Sequence, residues 1–124
     1  MVKVKKLLSF MLNLGVGFSA LLFNAVQAQA LEKVSIEDGT YVFCSKLDGD
    51  MVMDIKDASA ESGVYVQLWK YNGSTAQQFK VEKSGDWYII KPVCSGLALD
   101  VKDGSTESGA NVQQYKENNN DAQK

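Results

Sequence analysis

The sequence predicts an all-β protein built from a four-stranded unit that occurs once completely and once without its fourth strand, and three observations support this. First, residues 54–77 and 100–123 are identical at 13 of 24 positions at a fixed offset of 46 residues, where average composition gives about one or two matches. Second, apolar residues within each unit alternate with period two, which is typical of strands. Third, Gly, Asn, Asp and Ser cluster between the apolar runs and indicate turns.

Repeat one comprises residues 39–84, and its apolar pattern predicts four short strands. They are Thr40–Phe43, Met51–Ile55, Val66–Trp69 and Gln78–Val81. The segments between them, residues 48–50, 59–63 and 72–74, have the composition of turns.

Repeat two comprises residues 85–124 and has the same organisation. Its predicted strands are Trp87–Lys91, Leu97–Val101 and Val112–Tyr115, separated by turns at 94–96 and 104–109. No window has the pattern of a three-turn amphipathic helix, which excludes helical repeats of similar period. A propeller is disfavoured because the chain lacks the Trp-Asp signature and the four to eight blades that close a ring.

The N-terminal 30 residues have the layout of a secretory signal peptide. Three lysines lie within residues 1–6, residues 7–26 are mostly apolar, and Ala28-Gln29-Ala30 is a small-x-small cleavage pattern. A retained membrane anchor is the alternative, but polar and glycine residues interrupt the apolar run. We therefore predict a secreted, extracellular protein that is not stably inserted in a membrane after cleavage, with residues 31–38 as a short linker.

Charge and composition of residues 31–124 exclude several classes of function. This segment contains 10 lysines, 15 acidic residues, no arginine and no histidine, which gives a formal net charge of −5. Such an acidic surface is unsuited to nucleic acid. Without histidine, acid–base catalysis near neutral pH and imidazole metal ligation have no evident residues. The sequence therefore predicts no enzyme, no cofactor and no metal.

The two cysteines, Cys44 and Cys94, occupy non-equivalent positions of the two repeats. An even number of cysteines in an exported chain permits a disulfide. Two small, reduced, apolar side chains are an equally good interpretation.

The spaced motifs of the repeats resemble those of the ricin-B-type lectins, whose fold is the β-trefoil. The resemblance rests on segments 53–55, 66–69, 77–79, 99–101, 109–113 and 121–123. In that family each lobe closes with a Gln-x-Trp motif, to which Gln77-Gln78-Phe79 corresponds with Phe in place of Trp, and Gln123 begins the second instance. The resemblance implies that residues 39–124 form a lectin domain with two of the three lobes of a β-trefoil.

The third repeat of a β-trefoil is absent from this sequence, and two explanations stay open. The sequence is a fragment of a longer reading frame, which its end inside the second Gln-x-Trp motif favours. Alternatively, another copy of the chain supplies the missing strands in an oligomer, because unpaired sheet edges promote association.

The resemblance also implies one carbohydrate-binding site in each repeat. In the family an Asp binds the sugar, an aromatic ring stacks on it and an amide supports them. The corresponding residues are Asp54, Gln67 and Trp69 in repeat one, and Asp100, Gln113 and Tyr115 in repeat two. Structural roles are the alternative: Asp can bond to backbone amides in turns, Gln can brace a strand, and the rings can belong to the core.

Strand alternation favours exposed rings, because it turns Trp69 and Tyr115 away from the face that contains Val66, Leu68 and Val112.

One position departs from the sequence motif of the ricin-B-type lectins. An Asn that commonly precedes the glutamine of the motif is Ala76 in repeat one and Ala122 in repeat two.

Three other residues are predicted to close the lobes and fill the core rather than to bind sugar. They are Gln77, Phe79 and Gln123.

The function predicted from these residues is a secreted, non-catalytic module that binds sugars on glycans or polysaccharide through several weak sites acting together. A protein-interaction module on a degenerate lectin scaffold is one alternative. The targeting domain of a secreted glycoside hydrolase or peptidase, whose catalytic part is missing here, is another.

Overall fold

The computed structural model describes residues 35–124, so the predicted signal peptide lies outside the described residues. Within this range the regular elements are seven strands and four single turns of 3₁₀ helix, which confirms the all-β prediction. The strands are β1 (Gly39–Tyr41), β2 (Met51–Ile55), β3 (Val66–Lys70), β4 (Phe79–Ser84), β5 (Trp87–Pro92), β6 (Ala98–Val101) and β7 (Val112–Tyr115). The 3₁₀ turns are η1 (Lys56–Ala58), η2 (Thr75–Gln77), η3 (Lys102–Gly104) and η4 (Asp121–Gln123).

The strands form one three-stranded antiparallel sheet and two separate hairpins. The sheet has the order β1-β4-β5, and the hairpins are β2–β3 and β6–β7. Strands β4 and β5 belong to different repeats and are joined by the two-residue turn Gly85-Asp86, in which Gly85 has a φ of +64°. A positive φ suits glycine at the first position of a tight hairpin turn. The sheet therefore joins the two repeats.

The core is shared between the repeats. Ile55, Ala76 and Phe79 of repeat one are buried together, and the Phe43 ring packs edge-on against Phe79 with centroids 5.8 Å apart. Apolar side chains of repeat two, among them Ile90 and Leu99, pack against the same cluster. Burial of this surface is the main stabilising term expected for such a small unit.

A buried amide also connects the repeats. The Gln114 side chain in β7 is fully buried, and its Nε2 donates to the backbone oxygens of Ser59 at 2.9 Å and Glu61 at 2.7 Å. The Ser95 hydroxyl donates to Gln114 Oε1 at 2.8 Å. The equivalent position in repeat one is Leu68, which is 53% exposed. The same position of the unit therefore has different surroundings in the two repeats.

Both cysteines are free thiols, which answers the question that the sequence left open. Cys44 is exposed, and Cys94 is half-buried at the edge of the core. Burial raises the pKa of the Cys94 thiol, and a raised pKa makes a thiol unreactive.

Residues 35–124 contain no helix that is long and apolar enough to cross a membrane.

Candidate functional site

In repeat one, two glutamine side chains hold the carboxylate of Asp54. Asp54 lies in β2 directly opposite Gln67 of β3. Gln67 Nε2 donates to Asp54 Oδ1 at 3.0 Å, and Gln77 Nε2 donates to Asp54 Oδ2 at 3.1 Å. Although Asp54 is only 5% exposed, each carboxylate oxygen can accept more than one hydrogen bond. Each oxygen therefore retains accepting capacity beyond its one amide bond.

Gln77 fixes this arrangement by joining three segments of the chain. Its side chain is fully buried, and Nε2 also donates to the Lys70 backbone oxygen at 3.0 Å. The Asn72 backbone N–H donates to Gln77 Oε1 at 2.8 Å. All the hydrogen-bonding groups of the amide are thus engaged, which locks its orientation and that of Asp54.

Repeat two has the same hydrogen-bond cluster. Gln113 Nε2 donates to Asp100 Oδ1 and Gln123 Nε2 to Asp100 Oδ2, both at 3.1 Å. Gln123 Nε2 also donates to the Lys116 backbone oxygen, and its Oε1 accepts from the Asn118 N–H, both at 3.0 Å. The repeated sequence therefore builds the same carboxylate–diamide cluster twice.

The predicted aromatic residues lie beside these clusters and are open to solvent. Trp69 follows Gln67 by two residues in β3, so both side chains are on one face of the hairpin. Trp69 is 55% exposed and Tyr115 is 43% exposed. The structure thus brings together the predicted Asp, Gln and ring in each repeat. Leu68 and Val112, on the opposite faces, are also exposed, so alternation alone does not distinguish a ligand face from a core face.

No local sequence pattern predicts the contact between the motif glutamines and the aspartates. Gln77 and Gln123 were predicted to act in lobe closure, yet each donates directly to the candidate sugar-binding carboxylate. A separation of 23 residues gives no local signal for this contact; only recurrence at the same spacing in both repeats hints at it. Phe79 is fully buried in the core.

The alanines at the departing family position have no polar side-chain atom to offer a ligand. Ala76 is buried in the core cluster, and Ala122 is half-buried in η4.

The chain turns sharply just after each aspartate. Asp57 and Ala58 have φ values of 59° and 49°, and the equivalent Asp103 and Gly104 have φ values of 59° and 60°. Left-handed backbone is favourable for Gly and tolerable for Asp, but it strains Ala. Repeat one therefore stores strain at Ala58 that repeat two avoids.

A cavity of about 150 Å³ lies next to repeat two, mainly on the apolar side of the β6–β7 hairpin. Val101 and Val112, which pair directly across the hairpin, line it together with Ile90, Leu99 and Ala122. The cluster residues Asp100 and Gln123 line it as well. The equivalent residues of repeat one include Ile55 and Ala76, which are packed in the core. The cavity therefore adjoins the carboxylate cluster of repeat two at a place where repeat one is packed.

Charged side chains away from the clusters form a network across the sheet. Glu82 in β4 pairs with Lys80 at 2.7 Å and with Lys91 of β5 at 2.8 Å, and Lys91 also pairs with Glu117 at 2.8 Å. Hydrogen bonds from Lys80 and Lys91 lower the pKa of Glu82 to about 2. The bond to Glu117, followed by that to Glu82, raises the pKa of Lys91.

Comparison with known proteins gives one family match. The model of the ricin-type beta-trefoil lectin domain-like family matches residues 27–115. Among curated proteins, the clotting factor G alpha subunit of Tachypleus tridentatus is 38% identical over 42 residues, which are 34% of this chain and 6% of that protein.

Solved structures agree with the family match. The designed 3-fold symmetric protein ThreeFoil is 36% identical with a TM-score of 0.66, covering 73% of this chain and 64% of its own. The exo-beta-1,3-galactanase 1,3Gal43A from Clostridium thermocellum is 30% identical with a TM-score of 0.65, covering 73% of this chain and 20% of its own. With the strand arrangement described above, these matches confirm the β-trefoil prediction.

Proposed function

The chain belongs to the ricin-type beta-trefoil lectin domain-like family, and from this premise we propose that it is a secreted, non-catalytic carbohydrate-binding module with one sugar site in each repeat. The binding residues are Asp54, Gln67 and Trp69 in repeat one and Asp100, Gln113 and Tyr115 in repeat two. The N-terminal 30 residues serve as the cleaved export signal.

The observation that supports this proposal most directly is the repeated carboxylate held by two amides beside an exposed ring. Orientation of Asp54 by Gln67 and Gln77 fixes the direction of its remaining lone pairs before a ligand arrives. Preorganisation lowers the entropic cost of binding. A sugar can then donate two hydroxyls to the carboxylate while its C–H face lies on the ring of Trp69.

Galactose-containing polysaccharide is the first sugar class to test, because the exo-beta-1,3-galactanase is a structural relative at 30% identity. This relative also supports a second candidate function. Since the chain spans 20% of the galactanase, the module could be the substrate-targeting part of a larger secreted glycoside hydrolase.

A glycan array that includes β-1,3-galactan tests the proposal. Trp69→Ala and Tyr115→Ala remove exposed rings and should leave the fold intact, and the double variant should lose array binding. Asp54→Asn and Asp100→Asn should each weaken binding at their own site by about 12- to 160-fold, which corresponds to the roughly 1.5–3 kcal/mol of a charge-assisted hydrogen bond.

Glu61→Ala is the matched control, because it removes one exposed carboxylate outside both clusters. Circular dichroism confirms that each variant is folded. Full binding by a folded Trp69→Ala/Tyr115→Ala protein would contradict the proposed sites, and an array without signal for the unsubstituted protein would contradict the proposed function.

A further inference from the structure

Repeat one presents two exposed aromatic rings on the face of the β2–β3 hairpin that carries Gln67. Trp69 and Tyr71 are each 55% exposed and lie two positions apart. Tyr71 follows the last residue of β3, but its backbone N–H donates to the Asp50 oxygen at 2.8 Å, which extends the ladder with the β2 side. Alternation therefore places Tyr71 on the same face as Trp69 and Gln67, with about 6.5–7 Å between the Cα atoms of the two aromatic residues.

The Tyr71 ring stands against a loop that is itself held by the carboxylate cluster. A Cβ atom added to Gly73 would lie 3.8 Å from the Tyr71 hydroxyl, so the tip of the Tyr71 side chain lies beside Gly73. Asn72 N–H donates to Gln77 Oε1 at 2.8 Å, and Ser74 N–H donates to Asn72 Oδ1 at 2.9 Å. Because Gln77 also holds Asp54, the ring and the carboxylate are positioned by one connected segment.

Repeat two has no second ring at this position. The residue equivalent to Tyr71 is Glu117, whose carboxylate pairs with Lys91 at 2.8 Å. Tyr115 is therefore the one ring that repeat two offers at the positions equivalent to Trp69 and Tyr71. The two sites match in their carboxylates and amides and differ in aromatic surface.

We propose that repeat one binds two adjacent units of a sugar chain, with Trp69 under one unit and Tyr71 under its neighbour, whereas repeat two binds a single unit. This inference rests on the proposed function. A planar ring stacks on the C–H face of a sugar with little loss of side-chain entropy when its position is already fixed. Repeat one then selects segments of two or more sugar units within a polysaccharide, and repeat two selects single sugar units.

Calorimetric titration with galactose and with β-1,3-linked galactotriose tests this inference. The Asp100→Asn protein reports repeat one, because its second site is weakened. In that protein Tyr71→Ala should lower the affinity for the trisaccharide about five- to tenfold and the affinity for galactose less than twofold. Trp69→Ala should lower both affinities together. Trp87→Ala, which removes an exposed ring of β5 outside both clusters, should change neither.

The reciprocal variant examines repeat two. In the Asp54→Asn protein, Glu117→Tyr should raise the ratio of trisaccharide to galactose affinity. If Tyr71→Ala leaves this ratio unchanged in repeat one while Trp69→Ala abolishes binding, the two-unit site is refuted and the proposed function stands. If the unsubstituted protein binds neither probe and gives no signal on the glycan array, the proposed function is refuted and the two-unit site with it.

Discussion

Replacement of Gln77 by leucine tests whether the buried amide stabilises the fold as well as the candidate site. The side chain is fully buried and makes three hydrogen bonds, to Asp54 Oδ2, to the Lys70 carbonyl and from the Asn72 N–H. Leucine has a similar volume, so the substitution removes these bonds without a large cavity. It leaves the buried carboxylate of Asp54 and two part-buried backbone groups, the Lys70 carbonyl and the Asn72 N–H, without this partner.

The expected loss of unfolding free energy follows from these three bonds. A bond to a charged group contributes roughly 1.5–3 kcal/mol and each neutral bond about 1 kcal/mol, and the added apolar side chain offsets part of the sum. We expect Gln77→Leu to cost about 3–5 kcal/mol. For a domain of this size that is a fall of roughly 15 °C or more in the melting temperature.

Urea denaturation measures this loss. The protein concentration is kept fixed, because any association of the chain would make the apparent stability depend on concentration. Gln78→Leu is the matched control: its half-buried side chain makes a single exposed bond to the Gly73 carbonyl at 3.2 Å, and its loss should be below about 1 kcal/mol. In the double variant with Asp54→Leu the two losses should not add, with a coupling of about 1–3 kcal/mol. Equal losses for Gln77→Leu and Gln78→Leu would show that the buried Gln77 amide stabilises the fold no more than an exposed one. Full additivity with Asp54→Leu would show that Gln77 and Asp54 are not coupled.

Three further predictions address strain, pH and ligand contact. Ala58→Gly should stabilise the protein by about 1 kcal/mol and Gly104→Ala should destabilise it by a similar amount, because both positions have left-handed backbone; opposite signs in thermal melts would contradict this. The lowered pKa of Glu82, about 2 against an ordinary 4.5, stabilises the fold at pH values above 4.5 and is lost as pH falls toward 2. The stability difference between the natural protein and Glu82→Gln should therefore be constant near neutral pH and shrink over that interval, and a difference that grows on acidification would exclude the ion pairs as its cause. Sugar binding should shift the fluorescence of Trp69 and not of Trp87, so the shift should survive Trp87→Phe and disappear in Trp69→Phe; the reverse would show that the ligand lies elsewhere.

The repeat, the strands and the residue composition of each candidate site follow from the amino-acid sequence alone. The bounds of β2 and β7 were predicted as observed, and the other strands differ by one to three residues at an end. This success has a physical reason: alternation and turn composition are local signals, because each strand exposes and buries its own successive residues. The two predicted Asp–Gln pairs, 13 residues apart, are directly opposed across hairpins β2–β3 and β6–β7.

Tertiary packing sets which distant side chains meet and which equivalent positions differ in their surroundings. Gln77 reaches Asp54 because η2 packs against β2, and no periodicity encodes that contact. Leu68 and Gln114 occupy the same position of the unit, yet Gln114 is buried because repeat one supplies the loop carbonyls of Ser59 and Glu61 against it. Local pattern fixes the direction of a side chain relative to its own strand, whereas its burial depends on the segment that packs over it, and that segment comes from elsewhere in the chain.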